Sequence, residues 1–71
     1  MERRKKMATL SDRVRQRRTA LGMTQSQLAH AVHVYYLEIQ LLEDGIGRPT
    51  GDYLRRLAEA LGVTEEWLVN G

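Results

Sequence analysis

Met23–Gly45, M-T-Q-S-Q-L-A-H-A-V-H-V-Y-Y-L-E-I-Q-L-L-E-D-G, is the stretch whose reading decides the fold. Thr24 is a good N-cap, because its hydroxyl can accept a free amide of the first turn, and Gln27 stands three residues on to complete a capping box. Leu28, Ala31 and Val32 follow at helical spacing and predict one apolar face. A second helix is predicted over about Tyr35 to Asp44, with Ile39 and Leu42 inward and Gly45 placed to end it in a left-handed conformation. Val34 between the two is expected to sit buried at the corner. Two helices this short cannot bury their apolar stripes on each other alone, so the flanking chain must complete the core.

The flanks are built for that. A first helix is expected from near Ser11, whose hydroxyl suits an N-cap, to about Leu21, with Gly22 as its stop. Leu10, Val14 and Leu21 mark its inner side, Arg13, Arg15 and Arg17 point outward by the same periodicity, and Arg18 tilts inward one turn after Val14. Pro49 disfavours helical geometry at Arg48, so Ile46 to Thr50 reads as a loop. Thr50 or Asp52 then caps a helix at about Tyr53 to Leu61, with Leu54, Leu57, Ala58 and Leu61 at core spacing. Gly62 stops it, and Val63 is a buried link. Thr64 caps a last helix with Glu65 and Glu66 at its positive end, and Trp67 and Leu68 close the core against the first helix. The result is an all-α domain of five helices over residues 10–71, preceded by a basic arm at 1–9.

Seventy-one residues make one domain near the lower limit for a self-sufficient core. With no cysteine there is no disulfide framework and no thiolate metal site, which fits a reducing cytoplasm. No apolar run approaches the roughly 20 residues of a membrane span, and the N-terminus lacks the apolar region of a signal peptide. The net charge of +2 hides an asymmetry: residues 1–18 carry eight Arg and Lys against Glu2 and Asp12, whereas residues 19–71 carry Arg48, Arg55 and Arg56 against seven acids. A basic end attracts polyanions, nucleic acid among them, and also serves as a solubilising arm.

The pattern T-Q-x-x-L-A-x-x-V-x-V from Thr24, followed by I-x-x-L-E-x-G from Ile39, resembles the helix-turn-helix of the Cro and phage-repressor (XRE-type) DNA-binding family. So do R-x-R-R-x-x-L-G from Arg15 and R-P-x-x-x-x-L-x-x-L-A-x-A-L-G-V-x-x-x-W-L from Arg48, which extends the resemblance over Leu10 to Leu68. The resemblance implies a compact, lambda-repressor-like five-helix fold and a repressor-like regulator that binds double-stranded DNA as a homodimer, with the third helix in the major groove. It implies an ion pair between Arg18 and Glu43, a phosphate contact from Gln25, for which capping of Thr24 is the equal alternative, and a phosphate contact from Arg48, equally readable as a solvated loop arginine. Tyr36, Leu37, Gln40 and Leu41 map to the groove-facing positions. At His33 the family usually has glycine, because the turn often needs a positive φ.

The helix-3 residues themselves point two ways. Gln40 can pair with adenine, Leu37 and Leu41 can touch thymine methyls, and Tyr35 and Tyr36 can each offer a hydroxyl to phosphate. Yet Val34 to Gly47 holds no Lys or Arg and does hold Glu38, Glu43 and Asp44, so little counterion release is available there. Tyr35, Tyr36, Leu37, Gln40 and Leu41 equally compose an interface anchor for a second copy or another protein. His30 and His33 at i, i+3, with Glu38 nearby, are weak zinc candidates that lack a firm third ligand. No cofactor is called for. No cysteine nucleophile, nucleophile elbow or phosphate-binding glycine loop is present, and the chain leaves little room for a substrate pocket, so an enzyme is not expected.

Overall fold

The computed structural model describes residues 9–71. Among them five α-helices follow one another, α1 Leu10–Ala20, α2 Gln25–Val32, α3 Tyr36–Glu43, α4 Gly51–Leu61 and α5 Glu65–Asn70, without a strand. Residues 1–8 of the expected basic arm lie outside the described residues. Thr9, assigned from sequence to that arm, instead caps α1.

The caps show why the helices begin where they do. Thr9 Oγ1 accepts from Asp12 N at 3.2 Å while Thr9 N donates to Asp12 Oδ2 at 3.1 Å, a reciprocal box that satisfies two donors at once. Ser11, expected as the cap, lies inside the helix and donates its hydroxyl to Leu42 O at 2.6 Å, tying α1 to the C-terminal turn of α3. Thr24 and Gln27 form the second box, at 3.0 and 2.8 Å. Thr64 caps α5 by accepting from Trp67 N at 3.0 Å. α4 begins at Gly51, two residues before the expected start; Thr50 holds the N-cap position with no side-chain bond, and the other candidate, Asp52, pairs with Arg55 at 3.0 Å.

One core serves all five helices. Val14, Leu28, Ala29, Val32, Ile39, Leu42, Leu57, Ala58, Leu61 and Leu68 are each at most 4% exposed, and Val34, Leu54, Val63 and Trp67 pack partly buried around them. Two sequence expectations fail here. Ala31 is exposed and Ala29 is buried in its place, because α2 packs against both α3 and α4 and its inward direction is rotated toward Ala29. Leu21 is 46% exposed; α1 has ended at Ala20, so Leu21 overhangs the core edge.

α1 lies against α3, α4 and α5, and this placement redirects its arginines. Arg13, Arg15 and Arg17 were expected to point outward. Instead Arg17 donates through Nε and Nη2 to Leu61 O at 3.1 and 3.0 Å, Arg13 donates to Leu68 O at 2.9 Å, and Arg15 donates to Glu43 O at 2.6 Å. Each guanidinium meets a carbonyl in the last turn of a different helix, where the helix dipole is negative and carbonyls lack intrahelical donors. Long side chains on the flanks of a packed helix reach such partners while their stems cover apolar surface. Arg13 also stands over the Trp67 ring, 6.0 Å from its centroid.

Candidate nucleic-acid interface

The site is assembled from the N-terminus of α2, the turn, the outer face of α3 and the loop that follows. With Thr24 occupied by the amide of Gln27, the amides of Gln25 and Ser26 open α2 without an intrahelical acceptor. They lie at the positively polarised end of the helix.

His33 makes the turn. It ends α2 at φ 61° and ψ 45°, left-handed, and is the only non-glycine residue with positive φ among the described residues. This conformation lets Val34 N reach back to Ala29 O at 3.0 Å and reverses the chain into α3. The cost of placing a side chain in the left-handed region is about 1 kcal/mol. Tyr35 occupies the N-cap of α3 without a side-chain bond and is 85% exposed.

α3 turns about 100° per residue, and Ile39, Leu42 and Glu43 face inward, all buried. Leu37 and Leu41 therefore stand opposite the core, with Tyr36 and Gln40 along one flank and Glu38 on the other. Tyr36 is 47% and Leu37 59% exposed, while Gln40 and Leu41 are half-buried. The Gln40 amide donates to Tyr36 Oη at 3.1 Å. Ile46, missed in the sequence reading, is 57% exposed and borders a groove with Leu41, Glu38, Arg48 and Tyr53. Arg48 is exposed in the loop before α4.

Behind the site, Glu43 is a buried junction. Its Oε2 accepts from Arg18 Nε at 2.6 Å, and its Oε1 accepts from Arg18 Nη2 and from Gln25 Nε2, each at 3.0 Å. Arg18 Nη1 also donates to Met23 O at 2.8 Å. Burial opposes ionisation of Glu43, but the hydrogen bonds from Arg18 and Gln25 and the charges of Arg18 and Arg15 outweigh it and hold the carboxyl below its ordinary range. Gln25 thus does not cap Thr24, a role taken by Gln27; one N–H of its side chain braces α2 against the end of α3. The i, i+18 spacing of Gln25 and Glu43 carries no sequence signal for this, since only the crossing of the helices brings them together.

Tyr53 lies beneath the loop with its Oη buried and without a hydrogen-bond partner among the described residues. Burial first, and the Glu38 charge second, push its phenol up to about 12. His30 borders a groove with Leu21 and Met23, whereas His33 borders one with Tyr35 and Glu38. Among the described residues no group of three or more His, Cys, Asp or Glu comes together to hold a metal ion.

Comparison with known proteins gives this geometry its context. Residues 14–68 match the model of the helix-turn-helix family. The HTH-type transcriptional regulator DicA of Escherichia coli is 33% identical over 66 residues, covering 93% of this chain and 49% of DicA. An uncharacterized transcriptional regulator in the ATPase CF(0) region of Rhodospirillum rubrum is 43% identical over 56 residues, covering 79% of this chain and 52% of that protein. The chain therefore spans about half the length of these curated relatives. Among solved structures, the P22 c2 repressor protein in complex with a synthetic operator superposes with a TM-score of 0.88 at 29% identity, over 92% of this chain and 98% of the repressor chain. The chain belongs to the helix-turn-helix family.

Proposed function

We propose that this chain is the sequence-specific, duplex-DNA-binding unit of a repressor-like transcriptional regulator, acting in the cytoplasm by binding and not as an enzyme. α3 lies in the major groove with Tyr36, Leu37, Gln40 and Leu41 toward the bases. The amides of Gln25 and Ser26 hold one phosphate and Arg48 another. A second copy on a two-fold operator supplies the other half-site. The observation that carries this reading is the near-complete superposition on a repressor held on its operator, together with an α3 outer face on which Tyr36 and Leu37 stand exposed.

The test is binding of the purified chain to a pool of randomised duplexes, followed by titration of the enriched sequence at about 50 and about 200 mM salt. An enriched sequence bound about a thousandfold or more tightly than the starting pool supports specific recognition. Retention of the pool without enrichment removes it.

A second reading follows from one observation: Tyr35, Tyr36, Leu37 and Ile46, on α3 and at its two ends, are all exposed large hydrophobic residues. Such a patch suits a homodimer or another protein partner. Sedimentation of the free chain beside its Leu37→Glu, Leu41→Glu variant separates the two. A wild-type dimer that becomes a monomer in the variant assigns α3 to a protein contact and leaves no groove-reading face.

A further inference from the structure

The outer face of α3 has a chemistry narrower than "DNA-binding". Opposite the core it places two aliphatic residues one helical turn apart, Leu37, which is exposed, and Leu41, which is half-buried. Its single amide, Gln40, is engaged by Tyr36 at 3.1 Å. No Lys or Arg occurs from Val34 to Gly47. Glu38 is exposed on the flank away from Gln40, where it borders one groove with His33 and Tyr35 and another with Leu41 and Arg48, Glu43 is buried, and Asp44 lies past the helix end.

Major-groove edges ask for different partners. Guanine presents two acceptors, which Arg or Lys satisfies; adenine presents an acceptor beside a donor, which an amide satisfies; thymine presents a methyl group, which only an apolar side chain completes. α3 has no Lys or Arg for the paired acceptors of guanine, and Glu38, which could accept from the cytosine amino group, stands on the flank away from Gln40. Gln40, with one N–H on Tyr36, retains the other N–H and its carbonyl oxygen, the two groups that adenine requires. The leucines have the shape and polarity for methyl groups, and burying them against phosphate or a polar base edge returns little.

We propose that this protein recognises A·T pairs through thymine methyl groups: Leu37 and Leu41 close over thymine 5-methyls in the major groove, and Gln40 pairs with a neighbouring adenine. Leu37 and Leu41 are then specificity-determining residues, and Tyr36 is a positioning residue that orients the Gln40 amide. The inference rests on the DNA-binding reading above and extends it to the base composition of the half-site.

The experiment starts from the duplex enriched by the full chain out of a randomised pool. Each thymine of the half-site is replaced in turn by deoxyuridine, which removes only the methyl group. Affinity is expected to fall about fourfold for each contacted methyl, the worth of one buried carbon, and Leu37→Ala with Leu41→Ala is expected to bind thymine and uracil duplexes equally. Tyr36→Phe is expected to weaken discrimination at the adenine position while leaving the thymine-to-uracil ratio unchanged. Tyr36 and Leu37 are exposed and Leu41 is half-buried, and circular dichroism of each variant checks that it remains folded. An enriched half-site that is indifferent to uracil, or that carries G·C pairs opposite α3, overturns the inference and leaves the DNA-binding reading standing. Absence of any enriched sequence, or burial of α3 in a dimer, overturns both.

Discussion

The side-chain amide of Gln25, the first residue of α2, donates to Oε1 of Glu43, the last residue of α3, at 3.0 Å. The same carboxylate holds Arg18 of α1, so one buried group joins three helices and fixes the angle at which α3 leaves the scaffold. The N-terminal amides of α2 and the outer face of α3 are consequently tied through one buried group, a relation that the proposed contact with a phosphate and a base edge together requires.

Glu43→Ala is expected to cost about 3–5 kcal/mol, because it strands the Arg18 guanidinium in a nearly closed site. Glu38→Ala, at an exposed position, is expected to stay within about 0.5 kcal/mol of wild type. Equal urea midpoints for the two variants would remove the buried junction from this account.

Acid should reveal the same group. The folded-state carboxyl of Glu43 titrates below its ordinary value of 4.5, so its stabilisation is fully present above that pH and is lost as pH falls through the lower, folded value. Exposed Asp12 and Asp52 are shifted the same way, so the diagnostic is a difference. The wild type loses more of its urea midpoint than Glu43→Gln as pH is lowered from about 5 to about 3.

Arg17 and Arg48 should behave in opposite ways. Arg17→Met removes two hydrogen bonds to Leu61 O and is expected to lower stability by about 1 kcal/mol while leaving the salt dependence of duplex binding unchanged. Arg48→Ala is expected to leave stability unchanged and to reduce the slope of log affinity against log salt by about 0.9. Thermal melts and salt titrations of both variants check this. A reduced slope for Arg17→Met would return α1 to the DNA contact surface.

His33→Gly is expected to stabilise the fold by up to about 1 kcal/mol, because glycine occupies the left-handed region without the side-chain clash. A lowered urea midpoint would mean that the imidazole makes a compensating contact.

Alkaline titration isolates Tyr53. Its phenol is raised from 10.0 to about 12, so the stabilisation linked to its proton is present below about pH 10 and is lost as pH rises toward 12. Tyr53→Phe should be neutral or slightly stabilising at pH 7, since it deletes a buried hydroxyl without a partner. It should also soften the decline above pH 10 relative to wild type. An unchanged alkaline limb would show that Tyr53 is open to solvent.

Much of this was legible in the chain itself. Thr24 with Gln27, Gly22, Gly45 and Gly62 mark helix boundaries because capping and left-handed stops are local events, decided by residues within one turn. The spacing of Val14, Leu28, Ile39, Leu57 and Leu68 set the all-α core for the same reason, since a helical period needs no knowledge of the neighbour. What only the tertiary structure decided is where long polar side chains end. Arg13, Arg15 and Arg17 look like a solvated or phosphate-seeking face by periodicity. They find carbonyls of α5, α3 and α4 because folding brings three helix C-termini within their reach. Ser11 and Gln25 were diverted from their expected local roles to Leu42 O and Glu43 in the same way. Hydrogen-bond partners tens of residues apart are chosen by helix packing, and no local pattern encodes that choice.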